Sequence, residues 1–190
     1  MTKTMNIARP TKEQLLTQLH NCKALYVTGL ASLCLMGHPS APDLLDDEKN
    51  TYVMINDYRQ TFHGQVKHLR EDKEFLLQSL HNLYLRALIC ESYELISEYC
   101  DKTKQYELLK SEKWYLPLRL VRNCITHSFR WNFDRLSKKE KKEIKFPITY
   151  RSLCISRDFQ DQPLSFDKFN WVHIWNIHID IMRFVEEKLC

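Results

Sequence analysis

Residues 116–131 read LPLRLVRNCITHSFRW, and the fold predicted for the whole chain follows from this segment. On a helical wheel of about 100° per residue, its polar side chains share one arc of roughly 140°. Those side chains are Arg119, Arg122, Asn123, Thr126, His127 and Arg130. Most of the remaining circumference is apolar, which predicts a helix that is packed on most of its surface and exposes one polar stripe.

The composition favours helices in the rest of the chain as well. Among 190 residues there are three glycines and six prolines, and long segments lack any turn signal. Such a sequence is typical of a mainly helical protein rather than a β-sandwich or a doubly wound sheet. The length predicts a single domain over residues 1–190 with its own core, and residues 1–10 are expected to form a loose tail.

Charge and cysteine content narrow the class of protein. The formal net charge of +4 permits a polyanionic partner without requiring one. The seven cysteines include no Cys-x-x-Cys pair, which favours reduced thiols over a disulfide framework or a zinc site. The N-terminus lacks a signal region and the apolar run at residues 27–36 is too short to span a bilayer, so we expect a cytoplasmic protein.

Local signals place the first helices. Thr11 and Gln14 have the spacing of a capping box, and the helix that they open is predicted to end near residues 37–39, Gly-His-Pro. The acidic cluster at residues 43–48 opens a second helix that runs toward Arg70 and is broken near Gly64. Its carboxylates complement the helix dipole or, in the alternative, hold a divalent ion.

The third helix, predicted over residues 73–100, carries three glutamates inside or at the border of its apolar face. They are Glu91, Glu94 and Glu98. Because a buried carboxylate needs a partner, Glu91, which lies nearest the centre of that face, is predicted to pair with Arg122 or Arg119. In the alternative, the face widens toward solvent and the glutamates are exposed.

A hairpin and a last helix complete the predicted fold. Residues 146–155 and 162–166 alternate apolar and polar side chains, with residues 157–161 as the turn of a β-hairpin. The last helix is predicted over residues 166–188, where His178 lies among large apolar residues and is expected to be a core histidine. Before the hairpin, a basic run could steer RNA, although most such runs are solvated. It consists of Lys138, Lys139, Lys141, Lys142 and Lys145.

The pattern Arg122-Asn123-(three residues)-His127, on a late helix of a small all-helical protein, resembles the signature of the HEPN superfamily, many of whose members are RNases. The surrounding residues are similar to one plasmid- and chromosome-borne bacterial HEPN branch. They read Trp114-Tyr115, then Arg119-Leu-Val-Arg122-Asn123, then His127-Ser-Phe129-Arg130. The resemblance implies an all-α, HEPN-like bundle of four to five helices, and the alternating residues described above add a small β-hairpin insertion before the last helix.

The same resemblance implies an activity and its residues. HEPN RNases are metal-independent endoribonucleases that leave a 2′,3′-cyclic phosphate and a 5′-hydroxyl, so Arg122, Asn123 and His127 are expected to be catalytic without metal or cofactor. HEPN RNases pair two such helices in a homodimer, which forms a composite active site. Many of these RNases act in bacterial defence or toxin systems, so the resemblance implies such a role here. The alternative is a non-catalytic HEPN module for dimerisation, interaction or ligand binding.

Chemistry supports these residue types. Cleavage by the 2′-hydroxyl needs a base, an acid and positive charge on the transition state, and imidazole and guanidinium supply them near neutral pH. Thr126 is expected to add a hydroxyl and Glu91 to support the site, while Arg119 and Arg130 are predicted RNA contacts on physical grounds alone. Family toxins that an antitoxin modifies have Tyr where this chain has Phe129, so an antitoxin partner is allowed but not implied.

Overall fold

The computed structural model describes residues 10–47, 51–55, 57–165 and 167–190. Contacts divide the chain into two compact units. The larger comprises the described residues up to Cys22 together with Leu88–Cys190, and the smaller comprises Lys23–Ala87. The expected loose tail lies almost wholly outside the described residues, and the single domain stays a prediction.

The described chain is mainly helical, as its composition predicts. Its α-helices are α1 (Lys12–Gly37), α2 (Ala41–Asp46), α3 (His63–Glu71), α4 (Lys73–Lys102), α5 (Tyr106–Lys110), α6 (Tyr115–Thr126), α7 (Lys138–Glu143) and α8 (Trp171–Lys188). Its strands form two antiparallel pairs, β1 (Tyr52–Ile55) with β2 (Tyr58–Thr61) and β3 (Ile148–Tyr150) with β4 (Leu153–Ile155). None of these described helices is long and apolar enough to cross a membrane.

The first helix begins and ends as predicted. The backbone N–H of Thr11 donates to Gln14 Oε1 at 2.9 Å, and the N–H of Gln14 donates to Thr11 Oγ1 at 3.2 Å. This reciprocal pair is the capping box that the sequence predicts. The helix then runs without interruption to Gly37, where the Gly-His-Pro segment ends it.

In the smaller unit, the prediction of a second helix across residues 43–70 is wrong. That segment holds the short helix α2, the β1–β2 hairpin and helix α3, so the expected break near Gly64 is in fact the start of α3 at His63. Both strands are rich in β-branched and aromatic side chains, whose preference for a pleated pair outweighs the helical spacing of the apolar positions. The strands pair in the register Tyr52↔Thr61.

The acidic cluster near the second helix has a basic partner in the described residues. Asp43 lies in the first turn of α2, where the dipole interpretation places it. Arg70 Nη2 lies 3.2 Å from carboxylate oxygens of both Asp43 and Asp46. These carboxylates therefore join α2 to α3, whereas Glu48 lies outside the described residues.

The larger unit has its core between the C-terminal half of α4, helix α6 and helix α8. Fully buried side chains on these helices include Leu88, Ile96, Leu118, Val121, Ile174, Ile177 and Ile181. Trp114 meets Phe184 edge to face, with 5.6 Å between ring centroids. Helix α4 matches its predicted extent to within two residues, and the short helix α5 lies between α4 and α6.

The second hairpin exists, but the predicted pairing of its strands is wrong. Both strands lie inside the first predicted segment, and Ile148 pairs with Ile155 across a turn in which Arg151 takes a left-handed φ of 52°. The second predicted segment instead contributes Pro163 to an isolated bridge with Arg130. Helix α8 begins at Trp171 rather than at residue 166, and His178 is buried on it, as expected of a core histidine.

Candidate functional site at the C-terminal end of helix α6

Helix α6 carries the motif and is shorter than the sequence predicts. The N–H of Leu118 donates to the carbonyl of Trp114 at 3.0 Å. Pro117 precedes it in the first turn, where an N–H would have no intrahelical partner, so the proline costs the helix no hydrogen bond. The helix ends at Thr126 because Ser128 and Phe129 take left-handed φ values of 70° and 55°. The prediction that the helix continues to residue 131 is therefore wrong.

His127 is exposed at the C-cap of α6, not within the helix. Its backbone, at φ −113° and ψ 59°, leaves the helix there, while its N–H still donates to the carbonyls of Asn123 and Cys124, each at 3.2 Å. The helix thus fixes the backbone of His127.

Arg122 is oriented by three neighbouring side chains. Its Nη2 forms an ion pair with Glu94 on α4, and its Nη1 donates to Asn123 Oδ1 at 3.3 Å. Its guanidinium carbon also lies 5.3 Å from the centre of the Tyr93 ring, within the range of a cation–π contact. Arg122 Nε is buried without a hydrogen-bond partner among the described residues. Two of its nitrogens are thus engaged while one N–H is unsatisfied.

The prediction that Glu91 is a buried partner for these arginines is wrong. Glu91 is exposed, and Arg122 pairs with Glu94, which lies three positions further along α4. Glu94 stood at the border of the predicted apolar face, where a long side chain reaches a neighbouring helix while keeping its oxygens partly in water. The exposed alternative for Glu91 is the one that the structure supports.

Arg119 also has a carboxylate partner, which the sequence reasoning missed. It forms an ion pair with Glu140 on α7, inside the basic run. Glu140 belongs to a capping box in which its N–H donates to Ser137 Oγ at 3.3 Å and its own Oε2 accepts the N–H of Ser137 at 2.8 Å. Hydrogen bonding to Ser137, together with the charge of Arg119, lowers the pKa of Glu140. The Ser-x-x-Glu spacing was the signal for this cap.

The two remaining predicted site residues, Thr126 and Arg130, lie apart, one within α6 and the other beyond its end. Thr126 Oγ1 donates to the carbonyls of Arg122 at 3.0 Å and Asn123 at 3.1 Å, so its hydroxyl proton is used within the helix. Arg130 is exposed beyond the helix, where its Nη1 donates to the carbonyl of Asp161 at 2.9 Å. Arg130 is therefore not on the predicted stripe, because α6 has already ended.

Three tyrosines beside Arg122 form a cluster that no sequence spacing indicated. The hydroxyls of Tyr106 and Tyr115 are 2.8 Å apart, and those of Tyr93 and Tyr115 are 3.4 Å apart. Burial, followed by these hydrogen bonds, raises the pKa of Tyr115. Tyr115 is thus held in its neutral form, and the cluster contributes the Tyr93 ring, whose centre lies 5.3 Å from the Arg122 guanidinium carbon.

The basic run is mostly solvated. Lys138, Lys141, Lys142 and Lys145 are exposed, and Lys141 Nζ lies 3.8 Å from Asp134 Oδ1. The side chain of Lys139 lies outside the described residues. These cations lie on and just beyond α7, whose Glu140 holds Arg119. The run therefore adjoins the predicted stripe, although one of its own carboxylates neutralises one arginine of that stripe.

In comparisons with family models, curated proteins and solved structures, the chain matches none. Any assignment of function therefore depends on the geometry around Arg122, Asn123 and His127 and on the resemblance of their spacing. What the structure brings together is an oriented guanidinium, an adjacent amide and an exposed imidazole at one helix end.

Proposed function

We propose that the protein is a metal-independent endoribonuclease of the HEPN type, in a HEPN-like helical bundle. The observation that carries the proposal is the end of α6, where Arg122 and Asn123 in the last turns are followed by an exposed His127 at the C-cap. Imidazole and guanidinium are the groups that RNA cleavage without a metal requires. Helix packing and the Glu94 ion pair supply the preorganisation that such groups need.

In the proposed reaction, the His127 imidazole removes the proton of a ribose 2′-hydroxyl. The freed oxygen attacks the adjacent phosphorus, the bond to the 5′-oxygen breaks, and that oxygen takes a proton as it leaves. The products are a 2′,3′-cyclic phosphate and a 5′-hydroxyl. Arg122 stabilises the additional negative charge on the phosphate oxygens through N–H groups that Glu94 and Asn123 do not use.

A single imidazole does not hold both protonation states that this reaction needs at once. The proposal therefore includes a homodimer in which a second copy of His127 acts as the acid while the first acts as the base. Asn123 would bind a phosphate oxygen with its amide N–H₂, since its Oδ1 already accepts from Arg122. On this proposal, a bacterial toxin or defence system is the setting for the activity.

Replacement of His127 by alanine tests the site. We expect His127→Ala to lose RNA cleavage in the presence of EDTA while keeping its fold, because the replaced side chain is exposed. His20→Ala, which removes another exposed imidazole on α1, is the matched control and should cleave normally. Cleavage and far-UV circular dichroism are measured together. Equal cleavage by wild type and His127→Ala would rule out the proposed site.

One observation favours a second candidate function, a non-catalytic HEPN module for dimerisation, interaction or ligand binding. Arg122 and Arg119 are each already paired with a carboxylate, Glu94 and Glu140. Paired guanidinium groups attract a phosphate less strongly than free ones do. Growth of a bacterial host that expresses wild type or His127→Ala separates the two functions, because only the nuclease predicts toxicity that depends on His127.

A further inference from the structure

A cavity of about 570 Å³ lies in the larger unit, between helix α8, strand β3 and the segment that precedes α6. This volume falls within the range of roughly 300–1,000 Å³ that small-molecule sites occupy. Its walls include the buried aromatic rings of Trp114, Tyr150 and Phe184. Four basic and three acidic side chains also line it, which gives the lining a formal net charge of +1.

Two of the three acidic side chains already have close partners. Asp180 Oδ1 lies 2.7 Å from Arg151 Nη2, and the Tyr150 hydroxyl donates to the other Asp180 oxygen. Glu112 Oε1 lies 2.5 Å from Lys188 Nζ. The carboxylates of Asp180 and Glu112 are mostly buried, so each needs a cation to offset the cost of burying its charge. Arg151 and Lys188 fill that role and are therefore less available to a ligand.

Arg183 differs from those cations. Its nearest carboxylate oxygens, on Asp180 and Glu187, are both 3.9 Å away, which is beyond hydrogen-bond distance. Its side chain is 60% exposed and lines the cavity together with the exposed Lys113. Among the described residues, no acceptor therefore lies within hydrogen-bond distance of these guanidinium N–H groups, which suits an oxyanion better than it suits a cation.

We propose that this cavity binds the phosphate of a nucleotide, with Arg183 and Lys113 on the phosphate and the aromatic walls beside the nucleoside. A cationic guest would meet Glu187 as the one lining carboxylate without a close cation, because Arg151 and Lys188 already neutralise the two others. A phosphate would instead meet Arg183 and Lys113, which have no close acceptor among the described residues. Phosphate also matches the charge of the lining, which is positive by one.

This site is separate from the end of α6 that carries His127. The cavity includes Trp114, the N-cap of α6, and His127 is the C-cap of the same helix. Twelve helical residues separate these caps, which corresponds to roughly 18 Å along the helix axis. The phosphate can come from a free nucleotide or from one nucleotide of an RNA strand, and the inference does not depend on whether the protein cleaves RNA.

Calorimetric titration of the full chain with AMP, and separately with a single-stranded 2′-O-methyl RNA, tests the site. The methylated strand lacks the 2′-hydroxyl nucleophile and cannot be cleaved, so only binding is measured. We expect Arg183→Ala to raise the Kd about tenfold or more, since it removes charge-assisted hydrogen bonds. Arg86→Ala, which removes one exposed positive charge from α4, is the matched control and should leave the Kd unchanged.

The two ligands distinguish the sources of the phosphate. AMP binding that depends on Arg183 supports a free-nucleotide site, and dependence seen only with the RNA strand supports a substrate contact. If neither ligand binds more weakly to Arg183→Ala than to Arg86→Ala, the proposal is overturned. His127→Ala should bind AMP like wild type, so loss of cleavage and loss of this site are observed independently.

Discussion

At the scale of single residues, Arg122 shows how one side chain meets two demands. Its ion pair with Glu94 joins α6 to α4, and in the proposed reaction its remaining N–H groups bind phosphate. Because Arg122 is 28% exposed and Glu94 is 55% exposed, water screens the pair and its contribution to stability is at most about 1 kcal/mol. The greater effect of Glu94 is therefore on the orientation of the guanidinium.

His173 leads to a prediction about pH. It is buried, its Nδ1 accepts the N–H of Asn170 at 3.1 Å, and its Nε2 lies 3.1 Å from Ser152 Oγ. Because Nδ1 is an acceptor, the neutral ring carries its proton on Nε2 and cannot serve as a base for Ser152. Burial lowers the pKa of His173 below its usual 6.5. The folded protein therefore favours the neutral imidazole.

The stability that this preference contributes is complete above about pH 6.5, the pKa of an unfolded histidine, and falls as the pH drops toward the lower pKa of the folded state. We expect the Tm of wild type to fall more between pH 7.5 and pH 5 than the Tm of His173→Gln, whose amide oxygen can still accept the N–H of Asn170. Thermal denaturation across that range measures the difference. Parallel curves for the two proteins would contradict the prediction.

At the scale of elements, Gly29 on α1 and Tyr84 on α4 mark a close approach of two helices in the smaller unit. A Cβ atom at Gly29 would lie 2.5 Å from the Tyr84 ring. We expect Gly29→Ala to destabilise the protein by about 1–3 kcal/mol, because the ring or the helix must shift. Chemical denaturation with urea measures this change in the free energy of unfolding.

Gly37 at the end of the same helix supplies the matched control. A Cβ atom there would meet no described atom within 4 Å. We expect Gly37→Ala to be neutral or to stabilise by up to about 1 kcal/mol, since alanine is the better helix former. If the two variants had equal free energies of unfolding, the close packing of α1 on α4 at Gly29 would be disproved.

At the scale of the whole molecule, the proposed reaction predicts a homodimer. The mass in solution should be twice that of the 22.9 kDa chain, and dilution below the dimer dissociation constant should lower the specific activity, because one chain supplies one His127. Light scattering and cleavage assays over a concentration series measure both. Full activity in a protein that remains monomeric would exclude the composite site.

Much of the helical architecture could be predicted from the sequence because its signals are local. The capping box at Thr11, the end of α1 at Gly37 and the extent of α4 depend on residues within a few positions of one another. The β1–β2 hairpin could not be predicted in this way. The residue types of this segment favour strands, whereas the spacing of its apolar positions favours a helix. The pairing of the two strands, which is a tertiary contact, makes the hairpin the stable structure.

For the candidate site, the sequence by itself determined that Arg122, Asn123 and His127 lie within about one and a half helical turns of one another. Only the tertiary structure decided that Glu94 rather than Glu91 meets Arg122, and that Glu140 meets Arg119. Helical periodicity defines which side chains share a face. The position along its axis at which one helix packs against another depends on the packing of the entire core. That position determines which carboxylate lies within reach of each arginine.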